Sequence, residues 1–135
     1  MMNNYNIRLD KYGISKAAFE ELRAFCFQYE EKKAKIKDAV YFKNTDYSKV
    51  RISDGVKDPT EKAFEIAEKY REDVELIEKT AKEVDEFLAP WIIKGVTQDL
   101  STLSLISRGM PACRNVYNQK RRQFYCLLAL KKHIV

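Results

Sequence analysis

The residues able to do chemistry are unevenly placed along these 135 residues, and most of the usual catalytic sets are missing. There is one histidine, His133, so a His-dependent triad has little to be built from. Three cysteines, Cys26, Cys113 and Cys126, form an odd count without paired spacing. They read as reduced thiols and not as a disulfide framework or a zinc site, so no metal or cofactor is expected. Adjacent carboxylates occur at Glu30-Glu31, Glu72-Asp73 and Asp85-Glu86. Neighbours on a helix do not share a face, and general acid–base work needs a positioned pair, so these read as solvated surface. No glycine-rich phosphate loop is present, and no enzyme is expected.

One stretch remains: Arg114, Asn115, Asn118, Gln119, Lys120, Arg121 and Arg122. Amides and guanidinium groups donate to phosphates and pair bidentately with base edges. The surrounding charge agrees. The last 36 residues carry seven Lys/Arg and no carboxylate, whereas residues 59–99 carry six Lys/Arg against eleven Asp/Glu. A basic segment with no local acid is the footprint of a phosphate-binding surface. The other reading of that charge is a basic end that pairs with an acidic segment or an acidic protein partner.

The elements that must carry these residues are all helical. With four Gly and three Pro the chain is not a turn-rich β sandwich, and it contains no apolar run of transmembrane length. The start of the chain has no signal-peptide pattern, so a cytoplasmic protein with no membrane association is expected. Ser15 opens a helix predicted from about Lys16 to Ala39, with Phe19, Leu22, Phe25, Cys26, Tyr29 and Ile36 on its apolar side. Residues 40–57 read as an irregular linker. Asp58-Pro59-Thr60-Glu61 is a capping-box-like start, and Ala63, Ala67, Tyr70, Val74, Ile77, Ala81, Val84 and Leu88 follow as a coiled-coil-like seam. Pro90 predicts an end or kink near Ala89. A short apolar helix around Trp91–Val96 follows, then a helix from Leu100 to Ser107, a tight Arg108-Gly109-Met110-Pro111 connection, and a final helix from Ala112 to Lys132. Short helix, glycine turn and basic helix outline a helix-turn-helix.

Projected as a helix, the final segment gathers Cys113, Tyr117, Phe124, Leu127, Leu128 and the stem of Lys120 on a core stripe. Arg114 and Arg121 flank it, and Asn115, Asn118, Gln119 and Arg122 lie opposite. Cys113 is expected to be a buried thiol. Cys126, Ala129 and Leu130 leave the end of the helix apolar all round, so the N-terminal helices or a second subunit must cover it.

Three runs in this region resemble the C-terminal signature of small phage and prophage transcriptional regulators of the RinA/ArpU late-gene activator type. They are Gly109-Met110-Pro111, Arg114-Asn115-Val116-Tyr117, and Arg121-Arg122-Gln123-Phe124-Tyr125-Cys126-Leu127-Leu128. Upstream, Pro90-Trp91-Ile92-Ile93-Lys94-Gly95-Val96-Thr97 resembles the apolar helix before that module, and Asp58-Pro59-Thr60-Glu61 the start of its long helix. The likeness covers roughly residues 58–132. Asn118-Gln119 and Cys126 depart from the pattern, in which aromatic or basic residues are usual. The resemblance implies a DNA-binding regulator with a module similar to the C-terminal helix-turn-helix of sigma factors, and DNA contacts at Arg114, Asn115, Arg121 and Arg122.

The sequence therefore predicts an all-α protein: an N-terminal helix and linker over 1–57, a long central helix over 58–89, and a helix-turn-helix module over 90–135. The first two form a helical hairpin or coiled-coil-like arm. The function expected is binding of double-stranded DNA in transcription control. Arg114, Lys120, Arg121 and Arg122 would meet phosphates, and Asn115, Asn118 and Gln119 would read bases. The arm would dimerise the protein or meet RNA polymerase. The alternatives are a small terminase-like DNA-recognition subunit and a helical interaction module for an acidic protein.

Overall fold

A computed structural model describes residues 13–44 and 59–134, with backbone alone at 40–44, 59, 60 and 63. Every regular element among the described residues is helical: α1 (Lys16–Phe27), α2 (Tyr29–Asn44), α3 (Pro59–Val84), α4 (Ala89–Gln98), α5 (Thr102–Ser107) and α6 (Arg114–Lys131). None of these helices is long and apolar enough to cross a membrane. The linker expected at 40–57 and the Asp58 cap fall largely outside the described residues.

Residues 13–28 and 76–134 form one compact unit. Gly13, at φ +79°, leads into Ser15, whose hydroxyl accepts the Ala18 N–H at 3.1 Å and caps α1. Phe19, Leu22 and Cys26 then form the buried stripe of α1, which packs on α4 and α6. The Phe19 and Tyr125 rings meet edge to face at 5.0 Å, and the Lys132 ammonium lies 3.8 Å from the Phe25 ring centre. The helix expected over Lys16 to Ala39 as part of the arm is divided: its first part, α1, belongs to the bundle that carries the C-terminal module, and its second part, α2, forms a helical hairpin with α3. Helix α1 stops at Gln28, whose N–H bonds back to Phe25 in a tightened last turn. No residue type at that position marks the break.

The long helix ends five residues before the sequence suggests. Asp85 accepts the Leu88 N–H at 3.0 Å, which closes a turn after Val84. Pro90 then stands in the first turn of α4, where its missing N–H leaves no bond unmade. The Leu88 N–H holds the Asp85 carboxyl below its ordinary value against the opposing effect of desolvation, and Lys120 adds to the lowering. The seam of α3 faces inward: Ala67, Val74, Ile77 and Ala81 are buried and Tyr70 and Val84 half-buried within one chain. Buried Thr80 satisfies its hydroxyl on the Leu76 carbonyl at 2.6 Å.

The second unit comprises residues 29–75. In it α2 runs antiparallel to the first part of α3. Lys32 pairs with Asp73 at 2.8 Å, and the Lys32 and Lys35 ammonium groups lie 5.9 and 5.8 Å from the Tyr70 ring centre. Tyr29 and Ala39 of α2 and Ala67 and Val74 of α3 are buried in the same unit.

Helix α6 approaches α4 so closely that a Cβ added at Gly95 would lie 2.0 Å from the Tyr117 hydroxyl oxygen and 3.1 Å from a Leu105 methyl carbon. That hydroxyl is buried without a hydrogen-bond partner. Gly95→Ala is therefore expected to lower stability to urea by about 1–3 kcal/mol through overpacking. Adding Tyr117→Phe, which removes the obstructing oxygen, should restore much of the loss. Burial also pushes the Tyr117 phenol up to about 12, with Arg121 opposing. Its contribution to stability is present below about pH 10 and lost between pH 10 and 12, because the unfolded phenol ionises first. An alkaline unfolding series of Tyr117→Phe should show a shallower decline over that window.

Candidate nucleic-acid interface

The connection before α6 is built by three local devices. Ser101 caps α5 by accepting the Ser104 N–H at 3.1 Å. Gly109, at φ +102°, ends α5, and the Met110 N–H reaches back to the Leu105 carbonyl at 3.1 Å. Met110 is buried, so the turn is pinned to the bundle before the chain enters α6. Thr102 donates to the Asn118 side-chain oxygen at 3.1 Å and fixes the two helices against each other.

The inward face of α6 is Tyr117, Arg121, Phe124, Tyr125, Leu128 and Ala129. This face is rotated from the stripe expected at Cys113, Tyr117, Lys120, Phe124, Leu127 and Leu128. Packing of α1 against the Tyr125 side accounts for the rotation. Cys113 is consequently exposed at the N-cap position of α6 and not a buried thiol. At the far end Ala129 is buried, Cys126 half-buried and Leu130 still 60% exposed.

The seven expected contact residues separate accordingly. Arg114, Asn115 and Gln119 are exposed on the first two turns. Arg122 is half-buried and joins Gln119, Gln123, Cys126 and Leu130 along an open groove of about 460 Å³, with Glu83 and Val84 on the other side. Burial pushes the Cys126 thiol up, and Arg122 opposes that shift. Asn118 is half-buried, and its side-chain oxygen is bonded to Thr102. A bidentate adenine pair needs that oxygen and the adjacent nitrogen together, so Asn118 is a brace in this arrangement. Lys120 pairs with Asp85 at 3.4 Å and ties α6 to the turn after α3. Arg121 is only 6% exposed, its guanidinium 5.7 Å from the Tyr117 ring centre and its Nε buried without a hydrogen-bond partner. A guanidinium withdrawn in this way is not placed to meet a phosphate.

Two residues outside the expected set stand at the same place. Arg108, directly before Gly109, is exposed, and Val116 is 41% exposed on the first turn of α6. Arg108 was legible as a basic residue beside a turn. Val116 carried no signal, because an apolar residue beside Tyr117 reads as core.

Electrostatically, the start of α6 is built against helix preference. Its first turn has no acidic residue, it begins with Arg114, and the Cys113 side chain makes no capping bond. The positive end of the helix dipole is thus reinforced, an arrangement that suits an anion. Among the described residues no cluster of three or more His, Cys, Asp or Glu could hold a metal ion.

The contrast between buried and exposed arginines gives a stability test. Arg121→Met, which keeps volume and removes a buried charge, should leave stability within about 1 kcal/mol of wild type or raise it. Arg114→Ala should stay within about 0.5 kcal/mol. Urea unfolding of both variants checks this, and a large loss for Arg121→Met would show that the guanidinium is satisfied where it lies. In comparisons with known proteins, no family model, curated protein or solved structure matches this chain, so the reading of the site stands on its own geometry.

Proposed function

We propose that this chain binds double-stranded DNA as a transcriptional regulator of the phage type, placing the start of α6 in the major groove. The observation that carries the reading is the exposure of Arg114, Asn115 and Gln119 on the first turns of a helix whose N-terminus has neither a side-chain cap nor an acid. The preceding glycine turn supports it, as does the absence of any carboxylate after Asp99. Arg108 and Arg114 supply phosphate contacts on either side of the turn, while Asn115 and Gln119 reach base edges. The resemblance of residues 58–132 to late-gene activators supports the regulatory part of the proposal.

The test is fluorescence anisotropy of a labelled duplex titrated with protein over a range of salt. Wild type should lose affinity steeply as salt rises. Arg108→Ala/Arg114→Ala should bind more weakly, with a log–log slope shallower by about one unit per phosphate contact removed. Circular dichroism of the two proteins should coincide, since both side chains are exposed. No binding at low salt, or a slope unchanged in the double variant, would overturn the placement of α6 on DNA. Retention of an acidic protein in the absence of DNA binding would favour the interaction-module reading.

A further inference from the structure

The rotation of α6 fixes what lies opposite its buried face. With Tyr117, Arg121 and Leu128 inward, a step of about 100° per residue puts Asn115, Val116, Gln119 and Gln123 on the outward side. Over the first three turns the centre of that surface is therefore two kinds of group, carboxamides and one branched alkyl side chain; Cys126 and Leu130 continue it towards the C-terminus, along the groove that Glu83 and Val84 share. Arginines border it, with Arg114 at the start of the helix and Arg122 towards one flank. No lysine or arginine occupies its middle.

Val116 stands out among these polar neighbours as the apolar residue. It is 41% exposed, so a large part of its alkyl surface is left to solvent. As a β-branched residue it is also a poorer helix former than alanine or the long polar side chains. Within a surface that reads DNA, however, a small alkyl group has a specific counterpart. The C5-methyl of thymine is the one apolar group that a base pair presents in the major groove, and the carboxamides of Asn and Gln match the N6/N7 edge of adenine. Bidentate recognition of guanine calls for Arg or Lys, which this surface carries only at its borders.

We propose that the outward face of α6 reads A·T pairs, with Val116 seated against a thymine methyl and Asn115 and Gln119 directed at neighbouring adenines. The assignment rests on the DNA-binding reading above and names its substrate class: duplex sites with an A·T core flanked by phosphate contacts.

The experiment has two steps and uses the full chain. Duplexes are first selected from a random double-stranded DNA library. The best duplex is then remade with single thymidines replaced by deoxyuridine, which removes only the methyl group. Enriched sites should share a short A·T core. One deoxyuridine should weaken wild-type binding roughly fourfold, the value of one buried methyl-sized group. Val116→Ala should bind the thymidine and deoxyuridine duplexes equally, at the affinity of wild type for the deoxyuridine duplex. Its circular dichroism should match wild type because the site is exposed. A G·C core, salt-dependent binding with no enriched sequence, or a thymidine preference that survives in Val116→Ala would each overturn this inference while leaving DNA binding standing. No retention of the library at low salt would overturn both.

Discussion

The close approach of Tyr117 to Gly95 sets the geometry on which the candidate interface depends. A buried ring on α6 lies against a backbone position of α4 that has no side chain, with Leu105 of α5 at the same point. Three helices thereby meet where a single methyl group would not fit. Because Tyr117 sits in the first turn of α6, this contact fixes the rotation of the helix where its outward residues begin. Asn115, Val116 and Gln119 face out as a consequence of where Tyr117 faces in. The hydroxyl that makes the contact has no hydrogen-bond partner, so its role there is steric.

Much of the positive charge of the C-terminal region is used internally. Lys120 and Lys131 pair with Asp85 and Glu83 and draw α6 to the end of α3, while Lys132 covers Phe25 on α1. Arg121 lies inside the bundle against Tyr117. Arg108 and Arg114, at the two ends of the turn, keep their side chains exposed. A count of charges along the sequence therefore overstates how much of the field reaches solvent unpaired, and the exposed arginines of this region stand at the turn and the first turn of α6.

The helical class, the α3 seam, the glycine turn and the approximate limits of α5 and α6 were all legible in the sequence. Each rests on a local cause: periodicity, Ser101 as a cap, or Gly109 at positive φ. What was not legible came from contacts distant in sequence. Nothing local says that α1 docks beside Tyr125, about a hundred residues away, and that contact decides that Arg121 goes in and Cys113 comes out. The end of α3 was misplaced for a different reason. Pro90 is a conspicuous helix breaker, but Asp85 stops the helix first by taking the Leu88 N–H.

The place of α1 has a consequence for biosynthesis. The bundle is discontinuous in the chain: residues 13–28 supply one wall, residues 76–134 the rest, and 29–75 are translated in between. A nascent chain holding the first wall has nothing to fold against until α4 and α6 have left the ribosome. Premature termination anywhere before α6 therefore yields a fragment without the outward-facing helix and without Tyr117, Phe124 and Tyr125, three of the bundle's four buried aromatics among the described residues. The candidate interface arises only on chains whose synthesis has passed through α6.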